Sequence, residues 1–118
     1  MEPTIQVFGL PDSRDTRAAQ RFFRERRAPI QFSDLRKRAI APGELRRFVE
    51  RLGAAGCADT DGRAWRDGGL GYLRMTDDEL FERLLADPRL LRLPLVRRGN
   101  EVTAGPAEAT WRSWLAAR

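Results

Sequence analysis

The chain holds few side chains that could act as nucleophiles or metal ligands. Cys57 is its only cysteine, and histidine is absent from the sequence. A single thiol can form neither an internal disulfide nor a CxxC redox pair. Without an imidazole there is no Ser-His-Asp triad, no Cys-His pair and no histidine-ligated zinc, so we expect no metal site. The acids Asp59 and Asp61 follow Cys57 and should raise the pKa of its thiol. A structural role for Cys57 is favoured, with a surface redox group as the alternative.

The charge is strongly basic, with 22 Lys and Arg against 17 Asp and Glu and a formal net charge of +5. Every basic residue except Lys37 is an arginine. The densest run, Arg36-Lys37-Arg38, is short, and most other arginines are interspersed with acids. Neither a recognition-helix pattern nor an aromatic stacking motif accompanies them, so nucleic-acid binding is not expected. A solvated, ion-paired surface is favoured, and an acidic protein partner is the alternative.

The size and composition fit a single domain, since the chain has 118 residues of which 42% are hydrophobic. The longest apolar stretch, near Leu90–Val96, is interrupted by Arg92 and Pro94. It falls well short of the roughly 20 residues that a membrane-spanning helix needs. The residues from Met1 to Thr4 lack the pattern of a signal peptide. We therefore expect a cytoplasmic protein that does not engage a membrane.

The first elements along the chain follow a β-α-β order. Asp12 or Ser13 can cap a helix that runs to about Arg27, and Pro29 should end it. Its apolar residues recur at helical spacing, with arginines on the opposite face. A crossover helix of this length implies that the two flanking strands are parallel. The predicted strands are residues 5–8 and 30–34, and the apolar residues at helical spacing are Ala18, Ala19, Phe22 and Phe23.

The middle of the chain is predicted to be helical. Pro42 suits the first position of an amphipathic helix that Gly53 ends. A glycine-rich, irregular region with scattered aromatic residues follows. Thr76 and Glu79 then form a capping box at the start of another helix. This helix ends at Asp87-Pro88, where a short turn is expected.

The last part of the chain is predicted to be a hairpin and a helix. Residues 93–96 and 101–103 should pair as antiparallel strands across a Gly99-Asn100 turn. Gly105-Pro106 should open a final helix with Trp111 and Trp114 on its buried face. The sum is an α/β fold with a mixed sheet, and its order, with a proline before the third strand, is the thioredoxin-like plan with a helical insertion.

Four motifs in the same order resemble those of the ArsC/Spx/YffB family of arsenate reductase-like proteins. Residues 8–19, FGLPDSRDTRAA, are similar to the family's opening strand and P-x-C-x-x-[STC]-R-x-A segment. Residues 64–66 resemble a T-W-R segment, and residues 75–80, MTDDEL, resemble an M-T-E-D-E-L helix start. Residues 87–96, DPRLLRLPLV, are similar to N-P-x-L-I-x-R-P-L-V. The resemblance covers about residues 4–115.

The resemblance implies one domain over 1–118, with a four-stranded thioredoxin-like core at about 4–35 and 92–118 and a helical insertion at about 36–91. In the family a thiolate at the start of the first helix is the nucleophile, and nearby arginines bind an oxyanion or assist a mixed disulfide with glutathione. The proline before the third strand, here Pro94, is expected to be cis and close to that position. The site residues carried over are Ser13 at the catalytic position and Asp12, Arg14, Thr16, Arg17 and Pro94 around it, Ser13 also counting among the thiol-binding residues.

The sequence departs from the family pattern at the residues that carry the chemistry. Ser13 falls on the cysteine position, and Thr16 falls on the second cysteine of CxxC members. Asp61 and Leu93 fall on two arginine positions, and a later G-R-P arginine has no counterpart in residues 104–106. Among the family's arginines, Arg17 is retained. An engineered cysteine-to-serine exchange would explain Ser13 but not the other losses.

These departures predict a redox-inactive member of the family with a binding or regulatory role and no bound cofactor. One alternative is residual oxidoreductase activity with glutathione as the thiol partner, through Cys57. A second is a transcription regulator similar to the Spx branch, which would bind the C-terminal domain of the RNA polymerase α subunit without a disulfide switch.

Overall fold

The computed structural model describes residues 4–116. Four strands form a mixed sheet in the order β2-β1-β3-β4, and helices cover both of its faces. The strands are β1 (Ile5–Gly9), β2 (Ile30–Asp34), β3 (Leu95–Arg98) and β4 (Glu101–Ala104). The helices are α1 (Arg14–Glu25), α2 (Pro42–Leu52), α3 (Arg63–Asp67), α4 (Asp77–Ala86) and α5 (Glu108–Ala116), with 3₁₀ turns at Ala55–Cys57, Leu70–Tyr72 and Pro88–Leu90.

The strand register agrees with the predicted topology. β1 runs parallel to β2, with Val7 opposite Phe32, as the crossover through α1 requires. β1 also pairs antiparallel with β3, where Val7 lies opposite Val96, and β3 continues into the β3–β4 hairpin. The mixed four-stranded sheet and the helical middle of the chain are as expected from the sequence.

Two hydrophobic clusters lie on opposite faces of the sheet. On one face α1 and α5 pack against β1 and β3, and on the other face the helical middle of the chain packs against Phe8 and Leu95. The first cluster includes Ile5, Val7, Phe22, Phe23, Val96, Trp111 and Trp114, and the second includes Phe8, Leu45, Phe48, Leu84, Leu91 and Leu95. The predicted burial of Trp111 and Trp114 is confirmed.

The helix α1 ends at Glu25, two residues before the predicted end. Arg27 adopts a left-handed conformation with φ of 53°. The Ala28 amide donates to the Phe23 carbonyl at 2.9 Å, and the Arg27 amide donates to the Arg24 carbonyl at 3.0 Å. This is a Schellman termination, so the helix is closed by its own carbonyl groups before Pro29 is reached.

Two other boundaries differ from the prediction by two or more residues, and one short helix was not predicted. The strand β3 begins at Leu95 rather than Leu93, because Pro94 has no amide to contribute to a ladder. The helix α5 begins at Glu108, since Gly105 is held with φ of 78° and donates its amide to the carbonyls of Arg92 and Pro94. The short helix α3 lies where an irregular region was expected. Within residues 4–116, no helix is both long and apolar enough to cross a membrane.

Candidate functional site

Ser13 is the N-cap residue of α1, as the sequence predicted for Asp12 or Ser13. Its hydroxyl oxygen accepts a hydrogen bond from the Thr16 amide at 3.2 Å, and its own amide donates to the Leu10 carbonyl at 2.9 Å. The hydroxyl therefore satisfies one of the free amides at the start of the helix. A cysteine here would place its sulfur at the positive end of the helix dipole, where a thiolate is stabilised.

A cleft of about 480 Å³ opens beside Ser13. Leucine side chains form part of its lining, and Leu93 lines the cleft without filling it. The ionisable groups in the lining are four carboxylates and two guanidinium groups, which belong to Asp12, Asp15, Asp59, Asp67, Arg63 and Arg89. The carboxylates outnumber the guanidinium groups by two to one, so the field in the cleft disfavours anions.

The two arginines of the cleft already have acidic partners. Arg63 Nε lies 3.6 Å from an Asp67 oxygen, and Arg89 Nη2 lies 2.8 Å from Asp87 Oδ2. The hydrogen bonds that Arg89 donates to Asp87, together with the negative charge of Asp87, raise the pKa of Arg89 above its usual value. Hydrogen bonding from the Arg89 side chain lowers the pKa of Asp87 in turn. Arg89 would have to give up a hydrogen-bonded carboxylate to neutralise an incoming oxyanion, whereas the exposed pair of Arg63 with Asp67 is loose.

The predicted site residues are only partly brought together. Asp12 and Ser13 line the cleft. Arg14 and Arg17 are exposed outside its lining, where Arg14 pairs loosely with Asp15 at 3.7 Å and Arg17 donates to the Pro11 carbonyl at 3.3 Å. Thr16 and Pro94 are fully buried and also lie outside the lining. The Leu93–Pro94 peptide bond is cis, as expected.

The loop after Cys57 presents a different acid from the one predicted. Asp61 is exposed outside the cleft lining, and its carbonyl accepts a hydrogen bond from Arg66 at 2.7 Å. Asp59 faces the cleft instead, together with Arg63 and Arg89, which sequence reasoning had not assigned to the site. Asp59 is positioned by its amide, which donates to the Leu90 carbonyl at 2.8 Å. A backbone hydrogen bond between residues 31 positions apart cannot be recognised from a local sequence motif.

The thiol of Cys57 lies inside the core. Cys57 is fully buried, and desolvation raises the pKa of its thiol from 9.0 to about 11. The predicted direction agrees, but the cause is burial and not the neighbouring acids. At neutral pH the group is a protonated thiol that solvent does not reach. Residues 4–116 also contain no cluster of three or more acidic or cysteine side chains that could hold a metal ion.

A close contact between β1 and α1 lies behind the cleft. A Cβ atom at Gly9 would approach Thr16 Oγ1 to 2.5 Å, so a side chain at Gly9 would displace Thr16. The Thr16 hydroxyl is buried and finds no hydrogen-bond partner in the described residues. A buried hydroxyl without a partner destabilises the fold because it has lost its hydration.

Replacing Thr16 by valine should therefore stabilise the protein. Valine keeps the branched shape and removes the unpaired hydroxyl, so we expect the free energy of unfolding in urea to rise by about 1 kcal/mol. Thr16→Ser is the matched control, because it keeps the hydroxyl and removes a buried methyl group, and it should lower stability by about 1 kcal/mol. A Thr16→Val protein less stable than the parent would show that the hydroxyl is satisfied.

One comparison with known proteins identifies a family. The family model described as the ArsC family matches residues 8–114. No match was found among curated proteins.

The fold recurs in solved structures at low sequence identity. The YFFB protein superposes with a TM-score of 0.87 at 18% identity, covering 95% of this chain and 99% of its own. An arsenate reductase from Vibrio cholerae gives 0.79 at 18% identity, over 95% and 98% of the two chains. An arsenate reductase-related protein from Brucella melitensis gives 0.71 at 16% identity, over 95% and 94%. These similarities confirm the predicted thioredoxin-like fold.

Proposed function

The chain belongs to the ArsC family, and from this premise we propose that it is a binding or regulatory protein that carries out no thiol-dependent reduction. The observation that carries the proposal is that the cysteine side chain lies away from the start of α1. The start of α1 holds Ser13, while the one cysteine, Cys57, is fully buried outside the cleft lining. A serine hydroxyl forms no disulfide, and it stays protonated near neutral pH unless a strong base is close by.

The charge of the cleft supports the same proposal. Arsenate is an oxyanion, and glutathione carries two carboxylates and one ammonium group near neutral pH. Both are negatively charged overall, whereas the carboxylates of the cleft outnumber its guanidinium groups. Binding either molecule would bring like charges together in a partly desolvated space, which raises the free energy of the complex. The residual glutathione-linked activity is therefore the less favoured alternative.

The test is an assay of the parent protein with arsenate, reduced glutathione and glutaredoxin, followed by NADPH consumption with glutathione reductase present. We expect a rate equal to that without the protein, because no accessible thiolate can attack arsenic or a disulfide. The arsenate reductase from Vibrio cholerae is the positive control for the coupled assay. Isothermal titration with arsenate should likewise show no saturable heat.

Two variants decide the outcome if turnover is found. Activity lost in Cys57→Ser would mean that the buried thiol becomes accessible and performs the reaction, and activity lost in Ser13→Ala would assign it to the hydroxyl. Either result contradicts the proposal. Activity unchanged in both variants would point to a contaminating enzyme, which a repeat after a further purification step resolves.

A further inference from the structure

A second cavity, of about 580 Å³, is lined by residues of β1, β2, the loop after β2 and the start of α2. It shares no lining residue with the cleft beside Ser13. Its volume is within the range of roughly 300–1,000 Å³ that small-molecule sites occupy. Apart from Phe8, its lining residues lie outside the four family motifs.

The cavity offers apolar surface to a ligand. Phe8, Leu35 and Ile40 belong to the core and contribute to the lining, together with the exposed Ala39 and Ala41. Contact with a hydrocarbon or aromatic body would remove this surface, and the matching surface of the ligand, from water.

The two acidic side chains in the lining are already neutralised by arginines. Arg97 Nε donates to Glu44 at 2.6 Å, and Arg97 Nη2 reaches the second Glu44 oxygen at 3.2 Å. Asp34 accepts from the Arg36 side chain at 3.3 Å and from its amide at 2.9 Å. Glu44 and Asp34 are thus held by bonds within the protein and leave little negative charge for a ligand to meet.

The two cations in the lining have no such partner. Lys37 and Arg38 are exposed, and neither forms an ion pair with a residue in 4–116. Their position is set by the backbone, because the amides of Lys37 and Arg38 donate to the Asp34 carbonyl at 3.1 and 3.3 Å. The cavity lining therefore combines apolar surface with two positive charges that form no ion pair with residues 4–116.

We propose that this cavity binds a small organic anion, a carboxylate or sulfonate with an aromatic or branched apolar body. The apolar body contacts Phe8, Ile40 and Ala41, while the acid group lies near Lys37 and Arg38. The inference goes beyond the proposed function and does not depend on it, because the two cavities have no residue in common.

A pair of fluorescent probes tests the proposal. 8-Anilinonaphthalene-1-sulfonate and N-phenyl-1-naphthylamine share one aromatic body, and only the first carries a sulfonate. We expect one sulfonate probe to bind per protein molecule. In Lys37→Ala/Arg38→Ala its dissociation constant should rise about tenfold, the effect of two partly exposed charge contacts, while that of the neutral probe changes by less than about twofold. Arg21→Ala/Arg24→Ala removes the same charge from the exposed face of α1 and should leave both constants unchanged.

A filling variant and a map of the binding site complete the test. Ser33 is exposed and lines the cavity, so Ser33→Trp should weaken both probes by occupying their space without disturbing the core. Amide chemical shifts in the parent should change around residues 32–41. The proposal is overturned if the shifts centre on residues 10–15 and 59–67, if the α1 control weakens the sulfonate probe as much as the cavity variant, or if the parent shows no saturable binding. None of these results bears on whether the protein reduces arsenate.

Discussion

A cysteine introduced at Ser13 should react with iodoacetamide about a hundredfold faster than Cys57 does in the folded parent. The pKa of Cys57 is raised by burial from 9.0 to about 11. A thiol at position 13 with only an ordinary pKa would then have about a hundred times more thiolate at neutral pH, since each pKa unit is a factor of ten. It would also border an open cleft, whereas Cys57 has no solvent access.

Two sets of groups near the start of α1 shift the pKa of that thiol in opposite directions. The helix dipole and the amide of Thr16, which now bonds the Ser13 oxygen at 3.2 Å, favour the thiolate. The carboxylates of Asp12, Asp15 and Asp59 in the cleft disfavour it. We therefore expect a pKa nearer the ordinary value than the strongly depressed values of catalytic thiols.

The measurement is the rate of alkylation followed by mass spectrometry at neutral pH. Ser13→Cys/Cys57→Ala isolates the new thiol, and the parent reports on Cys57 alone. Asp12→Asn added to the first variant should increase its rate further by removing one nearby negative charge. Equal rates for the two thiols would contradict the placement of Cys57 in the core or of residue 13 in the cleft.

The same Ser13→Cys protein should still fail to reduce arsenate. The reaction needs an oxyanion bound beside the thiol, and Arg63 and Arg89 are already paired with Asp67 and Asp87. A second protein, Ser13→Cys with Asp59→Asn and Asp67→Asn, removes two carboxylates and tests whether charge is the remaining obstacle. Strong activity restored by Ser13→Cys alone would show that the cleft still binds anions and that the charge argument is wrong.

Truncating Trp111 should be the most destabilising of the substitutions considered. Its ring is 1% exposed and lies with centroids 5.5 Å from Phe22 and 5.2 Å from Phe23, and its Nε1 donates to Thr103 Oγ1 at 2.9 Å. Trp111→Ala leaves a large cavity between α1, α5 and the sheet, which costs about 3–5 kcal/mol. Against a total stability of about 5–15 kcal/mol, this removes a large share of the whole.

Urea unfolding followed by circular dichroism measures the effect. Trp65→Ala is the matched control, because Trp65 is only half-buried at the edge of the other cluster and should cost less than half as much. Trp111→Phe keeps most of the packing and loses the hydrogen bond, so it should give an intermediate value even if the alanine variant does not fold. A cost for Trp111→Ala no larger than that for Trp65→Ala would contradict the packing described here.

The sequence predicted the helix boundaries that depend on neighbouring residues. Thr76 and Glu79 form the expected capping box, with the Glu79 amide donating to Thr76 Oγ1 at 3.1 Å. Pro42 and Gly53 bound α2 as expected. In each case the helix boundary depends on residues no more than four positions apart, so the local sequence is enough to predict it.

The failures share a different origin. The helix α3 is five residues long, too short for a periodic pattern, and its Trp65 is oriented by contacts with the distant core. Asp59 faces the cleft because its amide bonds the Leu90 carbonyl, and Arg89 reaches the cleft from the same 3₁₀ turn. The charge of the cleft is thus decided by contacts between segments far apart in sequence, which a motif of neighbouring residues does not encode.

The strand order also determines when each strand can find its partner during translation. Of the four strands of the sheet, β1 is synthesised first and becomes an interior strand, in which Ile5 is paired with both Ile30 and Arg98. The β1-α1-β2 unit can assemble soon after it leaves the ribosome, but the second edge of β1 has no partner until β3 has been synthesised. At about 5–20 residues per second, the intervening helical segment takes several seconds to translate. During this interval the nascent chain carries an unpaired strand edge, which is prone to pair with other chains.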